Sequence, residues 1–206
     1  MYKYENDLLN EGHSFIAGCD EVGRGPLAGP VVCASVILDP LNPIVGLNDS
    51  KQLSEKKRII LDVEIREKAL AYSIIYIWPK EIDKINIYQA SKKGMIDAVN
   101  TLSIKPSFVL SDAMPLKGLG IPFESIIKGD TKSATIAAAS IIAKVERDNY
   151  MIELSLTHPQ YGFEKHKGYP TKQHIAALKE YGVLDVHRRT YKPVFDQINQ
   201  QSKLDI

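Results

Sequence analysis

The 206-residue sequence predicts an α/β fold built on one mixed sheet of five strands flanked by helices. Three observations point there. Five short segments rich in Val, Ile, Leu and Phe are bounded by Gly, Pro or Asp, as strands are. The first two follow one another across a glycine-rich turn, which makes that part of the sheet antiparallel. The later strand segments alternate with stretches of helical periodicity, the order that brings strands parallel.

The first strand is placed at Phe15–Cys19 and the second at Val31–Leu38, paired with it as a hairpin. "LNDSKQLSEKKRIILDVEIREKAL" then changes to helical periodicity, with Ser54 as its N-cap. A third strand occupies Ala71–Pro79 and is stopped by the proline, and an amphipathic helix spans Ile87–Leu102. The fourth and fifth strands lie within Pro106–Pro115 and Pro122–Asp130. From Ser133, "SATIAAASIIAKVERDNYMIEL" reads as a helix whose small side chains suit close packing on a flat surface. A shorter helix covers Thr171–Gly182, ending in a C-terminal glycine cap, and the polar tail after Val194 forms a loosely packed helix.

The length suits a single domain over residues 1–206. Hydrophobic residues make up 44% and charged residues 25%, enough apolar material for a core and too little charge for global disorder. A net charge of +1 excludes a polycation, so any polyanion binding has to come from local clustering. Cys19 and Cys33 lie inside apolar runs without metal-type spacing, which fits a reducing compartment. The N-terminus lacks the pattern of a secretory signal, and no uncharged apolar run is long enough to span a membrane. A soluble cytoplasmic protein is the expectation.

The most informative pattern is a recurrence: "FIAGC" ends in Asp20–Glu21, "FVLS" in Asp112 and "SIIKG" in Asp130. Function gathers at strand ends in open sheets, and converging carboxylates repel one another unless a hard cation such as Mg²⁺ or Mn²⁺ neutralises them. Each acid alone has an ordinary explanation. Asp130 is a good helix N-cap, Asp112 a common turn residue, and Asp20–Glu21 is evenly balanced. Their coincidence favours a metal site. Adjacent strand residues face opposite ways, so Asp20 and Glu21 can share it only if the strand breaks directly after them. Asp148, beside Arg147 in a helix, is expected to form a solvated ion pair.

"GRGPLAGP" matches neither GxGxxG nor a nucleoside-triphosphate loop; its glycines let backbone groups approach a ligand closely, or simply shape a hairpin. Between Gln160 and Pro193, Lys165, Lys167, Lys172, Lys179, Arg188, Arg189 and Lys192 outnumber Glu164, Glu180 and Asp185. Tyr161, Phe163, Tyr169, Tyr181 and Tyr191 are interleaved with them. Such a surface suits a sugar–phosphate backbone, although a solvated basic face is the ordinary alternative. The histidines nearby lack zinc-site spacing. Acids that can hold two divalent ions beside such a surface suggest phosphodiester hydrolysis. An aspartate-nucleophile phosphatase would need a DxD arrangement, which is absent. A non-catalytic nucleic-acid-binding module would explain the basic region but not the acids.

Taken in order, "GCDEVGRGPLAGPVVCA", "NDSKQLS", "SDAM", "KGDTKSATIAAASIIAKVERD", "HKGYPTKQH" and "HRRTYKPV" resemble the successive motifs of type 2 ribonuclease H, bacterial ribonuclease HII, from about Ile16 to Val194. The resemblance implies a ribonuclease H-like sheet with a substrate-contacting helical C-terminal extension from about residue 155. It implies metal-dependent cutting of the RNA strand of RNA–DNA hybrids, and nicking 5′ of single ribonucleotides in duplex DNA, leaving 3′-hydroxyl and 5′-phosphate ends. By position, Asp20, Glu21, Asp112 and Asp130 become the catalytic, metal-binding carboxylates, holding two Mg²⁺ or Mn²⁺ ions. Gly23, Arg24 and Gly25 would read the 2′-OH, Tyr169 would stack on the sugar beyond the scissile phosphate, and Lys51 would contact a phosphate. Nothing in the sequence demands a protein partner, so a monomer is the expectation, and "QINQQSKLDI" carries no glutamine-plus-aromatic pattern for binding a sliding clamp.

Overall fold

The computed structural model describes the backbone of residues 1–204 and side chains through residue 200. Residues 205–206, which end the tail read for a clamp-binding pattern, lie outside the described residues. Strands β1 (Ile16–Val22), β2 (Val31–Ile37), β3 (Ala71–Ile77), β4 (Phe108–Asp112) and β5 (Phe123–Ile126) form one sheet in the order β3-β2-β1-β4-β5. β2 is antiparallel to β1 and β3, whereas β4 is parallel to both β1 and β5. Four strands therefore run the same way, and the ends of β1, β4 and β5 share one edge of the sheet.

The helices are α1 (Lys3–Asn10), α2 (Glu55–Lys68), α3 (Pro79–Ile85), α4 (Ile87–Asn100), α5 (Ala134–Thr157), α6 (Phe163–His166), α7 (Lys172–Tyr181) and α8 (Lys192–Leu204). Ser54 caps α2 as expected, its side chain accepting from the Lys57 amide at 3.3 Å. Gly182 ends α7 with φ of 83°, a conformation that favours glycine. Pro79 does stop β3, but it also opens α3 at a first-turn position where its missing N–H costs nothing. Asp130 is not the cap of the long helix. It sits in a short 3₁₀ turn, Gly129–Thr131, and Ser133 caps α5.

α5 lies flat on β1 and β2. A Cβ on Gly18 would come within 2.1 Å of the Thr135 carbonyl carbon, so only glycine allows this approach. The alanines Ala134, Ala137, Ala138, Ala139 and Ala143 are fully buried in the resulting core with Val32, Val36, Leu61 and Ile65. A second core on the opposite face packs Met95 and Val99 of α4 against Ala17, Cys19 and Cys33. Both cysteines are free and buried. Among the described residues, no helix is long and apolar enough to cross a membrane.

Asp148 departs from expectation. It is 9% exposed, accepts hydrogen bonds from Lys144 Nζ at 2.5 and 2.7 Å, and lies 4.0 Å from Arg58. On a helix the i−4 residue is the neighbour and the adjacent one is not, so Arg147 points elsewhere. The packing of α2 against α5 supplies Arg58 and covers the pair.

Candidate active site

β1 carries Asp20 and Glu21 opposite Ala34 and Cys33 of β2, and it continues one residue further, to Val22. The strand therefore does not break directly after the acids, and their side chains alternate. Asp20 Oδ1 accepts the Glu21 amide at 2.7 Å, and the Ser140 hydroxyl of α5 also bonds this carboxylate. Ser140 Oγ lies 2.9 Å from Ser50 Oγ, which ties α5 to the loop before α2. Asp112 ends β4, with Oδ1 accepting the Gly129 amide at 2.7 Å, and Asp130 follows one residue later in the chain.

Asp20, Asp112 and Asp130 each place a carboxylate oxygen within 4.8 Å of the others. Glu21 is outside that group. Its Oε1 meets Arg24 Nη1 at 3.2 Å, while Oε2 is buried without a hydrogen-bond partner. Burial raises Asp20 well above the usual carboxylate range, helped by the charges of Glu21 and Asp112. Burial likewise lifts Glu21 to about 7 despite Arg24, with Asp112 adding to the rise. Asp130 is pushed to about 6 by burial and by the neighbouring charges of Asp112 and Asp49. Buried, mutually repelling carboxylates with one oxygen left unpartnered form a hard-oxygen donor set that fits Mg²⁺ or Mn²⁺. Asp49 and Ser140 were not singled out from the sequence. Asp49 could have been, because it stands in the same "NDSK" as Lys51.

Lys51 is exposed, and Asp20, Asp49 and Asp130 together outweigh its partial desolvation and raise its pKa. It does not open the next helix, which starts after Ser54. Gly23 has φ of 101°, and a Cβ there would lie 2.2 Å from Arg147 Nε. A Cβ on Gly25 would meet Tyr169 Cε1 at 3.4 Å, so the half-exposed tyrosine ring covers this glycine.

Two fully buried guanidinium groups shape the glycine loop from beneath. Arg188 donates from Nη2 to Gly23 O at 2.6 Å, from Nη1 to Arg24 O at 2.9 Å and from Nε to Gly29 O at 3.1 Å. Arg147 donates to Pro30 O at 3.1 Å, Ala28 O at 3.3 Å and Lys167 O at 3.0 Å. Burial and the neighbouring Arg188 lower Arg147 to about 10. The basic region is thus not one surface. Arg188 belongs to the interior, as do Tyr161 and Phe163, whose rings stack 5.3 Å apart. Their partners are backbone carbonyls and one another, which leave no signature in a pattern of charges.

The family model for ribonuclease HII matches residues 17–196. Ribonuclease HII of Bacillus cytotoxicus is 58% identical over 201 residues, covering 98% of this chain and 77% of that protein. Among solved structures, the ribonuclease H2 from Pyrococcus horikoshii is similar with a TM-score of 0.80 at 28% identity, covering 92% of this chain and 100% of that one. The ribonuclease HII solved in a complex with PCNA from Archaeoglobus fulgidus is similar with a TM-score of 0.75 at 27% identity, covering 86% and 95%. The matches span nearly the whole chain and include its fold, and the chain belongs to the ribonuclease HII family of ribonuclease H-type endonucleases.

Proposed function

We propose that the chain nicks duplex DNA 5′ of a single embedded ribonucleotide and also cuts the RNA strand of RNA–DNA hybrids, leaving 3′-hydroxyl and 5′-phosphate ends. The observation that carries this reading is the meeting of Asp20, Asp112 and Asp130 within 4.8 Å, beside a glycine loop covered by Tyr169. Asp20, Glu21, Asp112 and Asp130 are the residues that would hold two Mg²⁺ or Mn²⁺ ions. Such ions, when bound, supply Lewis-acid stabilisation of the charge that develops at a scissile phosphate.

The chain's own residues do the rest. Ser140 and the Gly129 amide orient the Asp20 and Asp112 carboxylates, so each presents its remaining lone pairs to the site. Gly23, Arg24 and Gly25 bring backbone atoms close to the 2′-OH, the one group that separates RNA from DNA locally. Tyr169 packs its exposed ring on the adjacent sugar, and Lys51 takes a phosphate near the acids. The helices from about residue 155 act as a substrate-contacting extension of the single domain. The setting is the cytoplasm, and the acting unit is a monomer.

The test uses a DNA duplex with one ribonucleotide and an all-DNA duplex, each with Mg²⁺, Mn²⁺ or chelator. A metal-dependent nick 5′ of the ribonucleotide, absent from all-DNA, is the expected result. Tight binding to both duplexes without cutting would replace this reading with a non-catalytic nucleic-acid-binding module.

A further inference from the structure

Three histidines of the C-terminal helices are buried together: His166, His174 and His187 are 8%, 0% and 1% exposed. The acid site does not use them. Their hydrogen bonds settle which ring nitrogens carry protons. The Leu184 amide donates to His187 Nδ1 at 2.9 Å, so that nitrogen is an acceptor and the proton sits on Nε2. His187 Nε2 lies 3.1 Å from His174 Nε2, which must then accept. The proton of His174 is left on Nδ1, 3.0 Å from the Tyr169 carbonyl oxygen. His166 is fixed in the same manner: Nδ1 accepts the Gly168 amide at 3.2 Å, and Nε2–H donates to Tyr161 O at 2.8 Å. Burial keeps the rings neutral by lowering His174 to about 4 and His187 to about 3.

The string ends on the backbone of the residue whose ring covers Gly25. The segment before it is held from other directions. The Leu27 amide donates to Gly168 O at 2.8 Å, and the Tyr169 amide donates to His166 O at 2.9 Å. The Tyr169 carbonyl also receives the Thr171 amide at 2.8 Å, and His174 supplies its only side-chain donor among the described residues. A directed hydrogen-bond string running from the Leu184 amide to the backbone carbonyl of Tyr169 is more than space-filling requires, since three apolar rings would fill the same volume without orienting anything.

We propose that His187 and His174 are positioning residues that hold the Tyr169 ring against Gly25 and thereby set turnover on a single embedded ribonucleotide. This rests on the reading above, in which Tyr169 touches the sugar. Long-range ¹H–¹⁵N spectra of the histidine side chains of the intact protein should show His187 protonated at Nε2 and His174 at Nδ1 at neutral pH. The reverse tautomers, or charged rings, would overturn the assignment without any variant being made. His174→Phe should lower kcat on a single-ribonucleotide duplex about tenfold with little change in KM. His174→Asn, whose amide nitrogen can occupy the donor position, should restore most of it. In a Tyr169→Ala background the His174→Phe change should add no more than about twofold. If His174→Phe costs the same factor with and without the tyrosine ring, its role is merely structural and the proposal fails while the reading of Tyr169 stands. If Tyr169→Ala by itself leaves turnover unchanged, that reading fails and the relay has nothing to position. Should His174→Phe not fold, His187→Phe in the same two backgrounds decides the question.

Discussion

Replacing Glu21 by Gln should stabilise the metal-free protein while removing its activity. The Glu21 side chain is 10% exposed, and its Oε2 has no partner. Burial raises its pKa from 4.5 to about 7 against the pull of Arg24, with Asp112 contributing. A carboxylate whose folded pKa lies above its unfolded value destabilises the fold when ionised. The penalty is therefore complete above pH 7 and fades as the pH falls toward 4.5. At ~1.36 kcal/mol per pH unit the interval corresponds to about 3 kcal/mol. Gln keeps an oxygen for Arg24, and the pull of the Arg24 charge on the ionised form is already contained in that interval. The gain should therefore be about 3 kcal/mol where Glu21 is fully ionised. Urea unfolding in chelator should show a higher midpoint for Glu21→Gln at pH 8.5, converging with the wild type near pH 4.5. Saturating Mg²⁺ should narrow the gap, because binding stabilises the protein that keeps all its carboxylates more. Equal midpoints at pH 8.5 in chelator would refute the idea that Glu21 is ionised in the fold at a cost set mainly by its burial.

Asp148→Asn should destabilise by about 3 kcal/mol, since it leaves the largely covered Lys144 and Arg58, 18% and 13% exposed on their side chains, facing no charge. Its nicking rate per folded molecule should equal the wild type's, and a stability change within about 0.5 kcal/mol would return Asp148 to the surface. Gly18→Ala should cost about 3 kcal/mol in urea unfolding, because α5 cannot lift off β1 without opening the alanine core. A neutral result there would mean that the helix slides. The depressed pKa values of His174 and His187 mean that their contribution is intact above about pH 6.5 and is lost as the pH falls toward 4. Each ring then adds about 1.4 kcal/mol per pH unit to the slope of stability in that window. A His174→Asn, His187→Gln double variant should show a shallower slope, and an unchanged slope would show that the rings are not buried neutral.

Most of the sheet was legible because strand signals are local: alternating β-branched runs closed by Gly, Pro or Asp. The same signals led to Asp20, Asp112 and Asp130, and parallel topology brings them together, although β1 runs on past Asp20 to Val22 and Asp130 stands in the 3₁₀ turn after β5. What could not be read depends on which face a neighbour covers. α1 is a short polar helix without a side-chain cap, and it is held by Leu8 in the core and by Glu5 accepting the Thr135 amide at 2.9 Å. None of that appears in its own eight residues. Asp148 and Lys144 have the right helical spacing, but only the packing of α2 shows that Asp148 is buried. Arg188 and His187 look like members of a basic surface until their partners are found to be loop carbonyls and another ring.

The placement of charge explains why the acids are not simply neutralised by the protein's own cations. Arg147 and Arg188 lie fully buried, yet neither meets an acid: Arg188 donates to loop carbonyls and the Tyr191 hydroxyl, and Arg147 donates to carbonyls with Nη1 left unpartnered, so their charge is not cancelled. Had either guanidinium met Asp20 or Asp112, the pair would have been stable and the carboxylate lone pairs occupied, with no donor set left for a divalent ion. Instead α5 directs Arg147 to the glycine loop while its Ser140, nearly two turns earlier, reaches Asp20. Positive charge therefore sits under the loop proposed to meet the sugar–phosphate backbone, and negative charge sits where metals are proposed to bind. Only Arg24, 46% exposed on its side chain, touches the acids among the described residues, and its contact with Glu21 is an exposed one that substrate can displace. Each group of like charges is unfavourable in the free protein. In the proposed reading, a phosphodiester arriving with divalent ions would relieve both at once.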